Sequence, residues 1–262
     1  MPGRRRRRPR AGAEPVRRTW LPALALAVLA AAPASPARPA RPAPVAVSPA
    51  TDAAQAGMVE VRALAPDIAE DIRYAGHHNF TGRPVPGYAA PACYLLRPAA
   101  QALARVQAAL RAQGYALQMF DCYRPVTAVR AFVAWVADPD DQVAKAEFYP
   151  GLDKSVLIAQ GYIADRSGHS RGATVDLGLL DCRAGPCVPL DMGTGFDFFG
   201  PRAHTDAPGL VPAQRANRQR LVQAMAAAGF ANYDQEWWHY TLMPEPTPHT
   251  AYDFPVIAAG DR

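Results

Sequence analysis

Two short segments far apart in the chain, Ser167-Gly168-His169-Ser170-Arg171-Gly172-Ala173-Thr174-Val175-Asp176 and Glu236-Trp237-Trp238-His239, hold between them three residues of metal-ligand type and a carboxylate. A fold that uses both must bring them together, and this constrains the architecture more than composition does. Catalytic zinc sites take three protein ligands from His, Asp and Glu and leave a fourth position for water. His169, Asp176 and His239 fill that count, and Glu236 lies close enough to His239 to act as a base without being a ligand. The run Val175-Asp176-Leu177-Gly178-Leu179 alternates like a strand buried on one face, so Asp176 is expected to project from the opposite face toward a cleft. Gly172 allows the chain to turn between the first two ligands. Hydrolysis of an amide bond with one zinc ion is the chemistry this pattern implies.

Each element alone is weaker than the pair. An isolated histidine is usually just hydrogen-bonded, and adjacent tryptophans usually bury area in a core. Arg124 adds to the constellation because it follows an expected strand and precedes Pro125, a position that favours the cleft over the surface salt bridge that is an arginine's commoner fate.

Further motifs stand in order from about Asp71 to Val256. They are Asp71-Ile72-Arg73-Tyr74, Asn79-Phe80-Thr81-Gly82, Asp121-Cys122-Tyr123-Arg124-Pro125, the Ser167 to Asp176 segment, Met192-Gly193-Thr194-Gly195-Phe196-Asp197, Glu236-Trp237-Trp238-His239-Tyr240 and Asp253-Phe254-Pro255-Val256. Together they resemble the zinc D-alanyl-D-alanine dipeptidases of the VanX type, which share a fold with DD-carboxypeptidases and the hedgehog signalling domain. The resemblance implies zinc ligation by His169, Asp176 and His239, a catalytic base at Glu236 and transition-state stabilisation by Arg124. It also implies substrate contacts from Asp197, Ser167 and Tyr162, with Asp197 facing the free ammonium. A dipeptidase must read both charged ends of a small zwitterion, and Asp197 supplies the acid that the ammonium requires.

The implied reaction is hydrolysis of the D-alanyl-D-alanine dipeptide to free D-alanine, in peptidoglycan turnover or recycling. The nearest alternative is a zinc D,D-carboxypeptidase or L,D-endopeptidase acting on peptidoglycan peptides, because the wider group shares the zinc pattern. Asn79-Phe80-Thr81-Gly82 and Phe196-Asp197 favour the dipeptidase. A non-catalytic binding module of the same fold is disfavoured by the presence of Glu236 and Arg124.

At 262 residues and 50% hydrophobic, the chain suffices for one domain of about 200 residues with a substantial core. The formal charge of +5 is misleading, because residues 1–41 hold ten arginines and one glutamate. From residue 42 onward eighteen basic side chains face twenty-two acidic ones, a net charge of −4, so no nucleic-acid partner is expected. A basic stretch ending at Arg18, an apolar run from Leu21 to Ala32 and small residues near Ala34 and Ala37 read as a signal peptide. The apolar run falls short of the roughly 20 residues that span a bilayer, so no stable membrane anchor is expected. The expected organisation is therefore a signal peptide over 1–37, a flexible Pro/Ala linker over 38–57 and a catalytic domain over 58–262, exported to the periplasm or cell envelope.

Four cysteines agree with export. Cys182 and Cys187 flank a turn-like Arg183-Ala184-Gly185-Pro186 and are placed to brace a hairpin beside the site, while Cys93 and Cys122 are the remaining candidates for a pair. Helices are expected over Pro98–Gln113, with Leu103, Val106 and Leu110 on one face and Gly114 as the stop, over Val126–Val136 and over Ala213–Ala228. A strand over Tyr115–Phe120 delivers Asp121 and Arg124 to the cleft. The order indicates an α+β domain of the hedgehog/DD-peptidase kind, in which an antiparallel sheet carries the zinc site and helices cover its other face.

Overall fold

The computed structural model describes residues 44–260; the expected signal peptide and the first residues of the expected linker lie outside them. In chain order the strands are β1 (Ala46–Val47), β2 (Met58–Glu60), β3 (Ala69–Glu70), β4 (Tyr94–Leu96) and β5 (Tyr115–Asp121). They continue with β6 (Thr174–Asp181), β7 (Val188–Pro189), β8 (Phe230–Asn232), β9 (His239–Leu242) and β10 (Thr250–Ala251). The helices are α1 (Arg97–Arg111), α2 (Val126–Ala137), α3 (Lys145–Phe148) and α4 (Pro212–Ala226).

The main sheet runs β3-β5-β6-β9-β8, with β7 paired to β6. Its β5/β6, β6/β9 and β8/β9 ladders are antiparallel, as expected, while β3 lies parallel to β5. That exception follows from connectivity: β4 and α1 intervene between β3 and β5, a crossover long enough to return the chain in the same direction. The fold is thus a mixed α/β domain with a mostly antiparallel sheet.

The periodicity of Leu103, Val106 and Leu110 is realised in α1, where all three are buried. Each such side chain contributes about 1.5–3 kcal/mol on leaving water. α1 packs on β5 and against α4, and α4 in turn contacts β6 and β8. Gln107 joins helix to sheet, accepting from the backbone N–H of Leu117 at 2.9 Å and donating to Asp67 Oδ2 at 3.1 Å. α2 departs from the expectation of helices on the opposite face, because its Phe132 packs on Tyr74 and Phe80 and lines the cleft.

β6 corrects a second expectation. It is buried along nearly its whole length rather than on one face only. As a central strand it has the helical layer on one side, and on the other an aromatic layer of Phe120 and Trp237 that approaches Gly178 so closely that a Cβ there would lie 3.2 Å from the Phe120 ring. Asp176 therefore opens into a local cleft within a packed face, not onto solvent.

The expected linker is also corrected in part. Its residues 46–57 are built into the domain: Ala46 and Val47 pair with Thr250 and Ala251, and Ala53 and Ala56 are buried in the core. Small alanines, which composition reads as flexible, are what a close-packed turn against a core accommodates. The C-terminal motif has a related role. Tyr123 Oη donates to the Phe254 carbonyl at 3.0 Å, and Asp253 Oδ1 accepts from the backbone N–H of Thr127 at 2.7 Å, capping α2 just after Arg124.

All four cysteines are paired, as Cys93–Cys122 and Cys182–Cys187. The Cys182–Cys187 bridge closes the β6–β7 hairpin at the end of β6 remote from Asp176, not beside the site. Cys182 lies six residue steps beyond Asp176, about 20 Å at 3.3 Å per residue. Cys93–Cys122 is the bridge near the cleft. Among the described residues, no helix is long and apolar enough to cross a membrane.

Candidate active site

His169 opens a single 3-10 turn that ends at Gly172, whose φ of +75° reverses the chain into β6 and brings Asp176 back beside His169. A left-handed backbone is cheap only for glycine. β9 pairs with β6 in the register Asp176↔His239, so the third ligand-type residue stands directly across the ladder from the second. Asn232 of β8 holds the approach to β9, its Nδ2 donating to the carbonyls of Glu236 at 3.1 Å and His239 at 3.0 Å. Trp237 and Trp238 are buried. The core-packing reading of the tryptophans and the functional reading of their neighbours thus both hold.

The three ligand-type side chains converge. His169 Nε2 lies 3.3 Å from His239 Nδ1 and 3.2 Å from Asp176 Oδ2, and His239 Nδ1 lies 3.0 Å from Asp176 Oδ1. His169 Nδ1 donates to the Cys122 carbonyl at 2.7 Å, which leaves the Nε2 lone pair facing the other two groups. Asp176 Oδ1 is buried and makes no hydrogen bond. Electron-pair donors held this close repel one another unless a cation sits between them. Their spacing suits one: the edges of a tetrahedron with bonds of about 2.0 Å are about 3.3 Å long. The donor set of two histidines and a carboxylate therefore fits a metal ion, and it is the one such group of three among the described residues. Burial pushes the Asp176 carboxyl up, but the two histidines beside it more than offset this and hold it low.

All eight residues that sequence reasoning placed at the site, His169, Asp176, His239, Glu236, Arg124, Asp197, Ser167 and Tyr162, line one cleft of about 220 Å³. Pockets for drug-sized ligands usually measure roughly 300–1,000 Å³, so this cleft suits something smaller. Glu236 Oε2 is 3.5 Å from His239 Nδ1. Burial, reinforced by Asp176 and opposed by Arg124, pushes the Glu236 carboxyl up to about 8. Ser167 Oγ accepts from the His169 backbone N–H at 3.2 Å, which ties it to the ligand turn. Tyr162 packs on Phe199 at 5.6 Å between ring centroids.

Arg124 is held from several sides. Its Nε donates to Asp121 Oδ2 at 2.9 Å, its Nη1 and Nη2 lie 3.5 Å from Ser167 Oγ and Asp176 Oδ2, and its guanidinium sits 5.1 Å from the ring centres of both Tyr74 and Phe132. Burial disfavours the cation, but Tyr74, Asp121, Tyr88 and Asp176 more than offset that and keep it charged.

Tyr74, Tyr88 and Asn79 have supporting roles that only the folded chain reveals. Tyr74 Oη donates to Asp197 Oδ2 at 2.8 Å, and Tyr88 Oη donates at 2.6 Å to Asp121, the partner of Arg124. Tyr74 sits inside an ordered motif of the sequence but far along the chain from Asp197, whereas Asp121 stands three residues before Arg124 and is expected at the cleft with it. Asn79 is a turn staple, its Nδ2 donating to the carbonyls of Gly76 and Arg83, and it presents Phe80 to the cleft wall. Asp197 is a non-glycine residue with φ of +60°, buried, and its carboxyl is pushed well up by burial, with Asp176 adding to the effect. Such backbone strain persists where the surroundings enforce it. Here they include Phe196, packed between Phe120 and Trp238, and Thr194, which accepts from Trp237 Nε1 at 2.8 Å.

Comparison with known proteins agrees with this geometry. A family model described as Peptidase M15, D-ala-D-ala dipeptidase, matches residues 54–257, which includes the last residues of the expected linker. A D-alanyl-D-alanine dipeptidase of Streptomyces coelicolor is 44% identical over 193 residues, 74% of this chain and 95% of that protein. A protein of the same description from Enterococcus faecium is 41% identical over 186 residues, 71% of this chain and 91% of its own length. One from Escherichia coli is 32% identical over 201 residues, 77% of this chain and 89% of its own. With matches of that extent around a buried His-Asp-His group, the chain belongs to the M15 metallopeptidases, in the family of D-Ala-D-Ala dipeptidases.

Proposed function

We propose that this chain hydrolyses D-alanyl-D-alanine to two molecules of D-alanine, with a zinc ion held by His169, Asp176 and His239. The observation that carries this reading is the charge balance of the small cleft. Ionised, Asp121, Asp176, Asp197 and Glu236 face the guanidinium of Arg124, an excess of three negative charges around it, while the second arginine of the lining, Arg166, is exposed to solvent and left for the substrate carboxylate. A divalent cation and a substrate ammonium together supply three positive ones.

Bound zinc supplies Lewis-acid polarisation of the scissile carbonyl and acidifies water. Glu236 takes the water proton and returns it to the leaving amine; burial raises the proton affinity of its carboxyl, and the charge of a bound cation beside it favours the ionised form that a base needs. Arg124 points its cleft-side nitrogens at the oxyanion, while Asp121 fixes the other edge of the guanidinium. Asp197, oriented by Tyr74, receives the ammonium, which brings the carboxyl back to its ionised form. Ser167 and Tyr162 line the rest of the cleft, with Arg166 exposed on the same lining for the carboxylate end.

We also propose that the enzyme acts outside the cytosol. Two disulfides and the basic-then-apolar stretch before residue 37 support an oxidising compartment. The substrate would then be dipeptide released from peptidoglycan, in catabolism or wall recycling. Release of free D-alanine from D-Ala-D-Ala by the zinc-loaded protein tests the reaction, with Glu236→Ala as control. Activity that vanishes in the variant is expected; cleavage of muropeptides without cleavage of the free dipeptide would overturn it.

A further inference from the structure

Cys122 follows Asp121, the last residue of β5, just after a register irregularity between Met119 and Asp121. It stands outside the β5–β6 ladder, so its carbonyl is available to His169 Nδ1. The ladder does not fix that carbonyl. Its anchors are the Tyr123 N–H, which donates to the Tyr94 carbonyl at 3.0 Å, and the covalent bond to Cys93, the residue before β4. β4 also holds the far end of the ligand turn, since Leu96 N–H donates to the Gly172 carbonyl at 2.8 Å. The connections close on themselves: Cys93 to Cys122 by the disulfide, Cys122 to His169 and Gly172 to Leu96 by hydrogen bonds, and Leu96 back to Cys93 along β4. Both cysteines are buried, at 0% and 1% exposure. Two thiols cannot share the space of one bridge without separating, and Cys122, at a strand end, is the one free to move.

We infer that the Cys93–Cys122 bridge positions His169, so that metal affinity depends on its formation; the inference rests on the metal reading given above. Cys122 is a positioning residue that acts through its carbonyl, and the bridge makes oxidative maturation a precondition for tight metal loading. Forming it removes two electrons and two protons from the Cys93 and Cys122 thiols. Both pass by thiol–disulfide exchange to an oxidised dithiol oxidoreductase, whose own disulfide becomes two thiols. The coupling is reciprocal: if the bridge tightens metal binding, bound metal makes the bridge harder to reduce by the same factor.

The test compares zinc affinities of three full-length proteins by competition with a chelator. In Cys93→Ala/Cys122→Val, which refills the volume with apolar atoms, affinity is expected to fall about 10–100-fold, the usual cost of losing a partner behind a ligand. Cys182→Ser/Cys187→Ser, at the remote end of β6, is expected to keep wild-type affinity even if it loses stability. Equal affinity in wild type and the folded Cys93/Cys122 variant overturns the inference while leaving the metal reading intact. A wild type that binds no zinc overturns both. Where the Cys93/Cys122 variant does not fold, the wild type alone decides. Raising free zinc, fixed by a metal buffer, from nil to saturation is then expected to move the bridge's reduction equilibrium about 30–60 mV more negative, the same factor at about 30 mV per tenfold. An unmoved equilibrium overturns the inference.

Discussion

Replacing Arg124 by lysine keeps the charge and removes the fork, which makes it a sharp probe of the cleft. Nε and Nη2 each lie 2.9 Å from Asp121 Oδ2, while Nη1 is 3.5 Å from Ser167 Oγ on the cleft side. A lysine offers one compact ammonium on a flexible stem. It can satisfy Asp121 or reach into the cleft, not both. Held at Asp121, it leaves the oxyanion one donor short, about 2.7–4 kcal/mol or 10²–10³ in kcat, with KM little changed. Extended into the cleft, it strands the Asp121 carboxylate, whose side chain has 0% exposure, without a cation. Breaking a buried pair in this way costs on the order of 3–5 kcal/mol of stability, and the lower end applies here because Tyr88 still donates to Asp121. The assay is kcat and KM on D-Ala-D-Ala beside the urea midpoint of the same preparation. An Arg124→Lys protein with kcat within about threefold of wild type and an unchanged midpoint would refute this account of the guanidinium.

Two further substitutions probe the scaffold. Gly172→Ala places a Cβ 2.5 Å from Met58 Cε and 3.2 Å from Leu96 Cγ at a φ of +75°; the Met58 end can swing away, but Leu96 must yield. A left-handed alanine costs about 1–2 kcal/mol by itself, so urea unfolding should show a loss of about 2 kcal/mol, and a loss below about 0.5 would contradict the reading. Glu70, with Oε1 buried and unpartnered, is pushed up by burial from 4.5 to about 7. Between those values the folded protein keeps a proton that the unfolded chain has released, so stability falls as pH rises through the window and stays lowest above it. Glu70→Gln should therefore match wild type near pH 4 and exceed it at pH 8 by about 1 kcal/mol, allowing for screening of a partly exposed group. An equal gap at both pH values would show that charge is not the cause.

Metal ligation demands particular side chains at short, fixed spacings, and this is why His169, Asp176, Glu236 and His239 are legible in the sequence alone. The α1 helix is legible for a similar reason, since the apolar periodicity of Leu103, Val106 and Leu110 has few other meanings. Tyr74 and Tyr88 are not, because Asp197 and Asp121 meet them only through tertiary approach. Disulfide pairing depends on Cα separation, which Cys93 and Cys122 reveal only once folded. Residues 46–57 mislead because alanine-rich composition is compatible both with a free linker and with a close-packed strand and turn, and only contact with β10 and the core decides between them.

The clamp formed by residues 250–256 bears on when activity first becomes possible. These residues come after every other element of the described fold, yet Tyr252 N–H donates to the Ser170 carbonyl inside the ligand turn, Val126 N–H donates to the Tyr252 carbonyl at the start of α2, and Asp253 caps that helix. A chain emerging from its N-terminus can form β5, β6 and even the β6–β9 ladder while the turn bearing His169 and the loop bearing Arg124 still lack their final tether. Competence therefore waits for residues 250–256, and a polypeptide that stops short of them carries every reacting side chain without the frame that makes them work together.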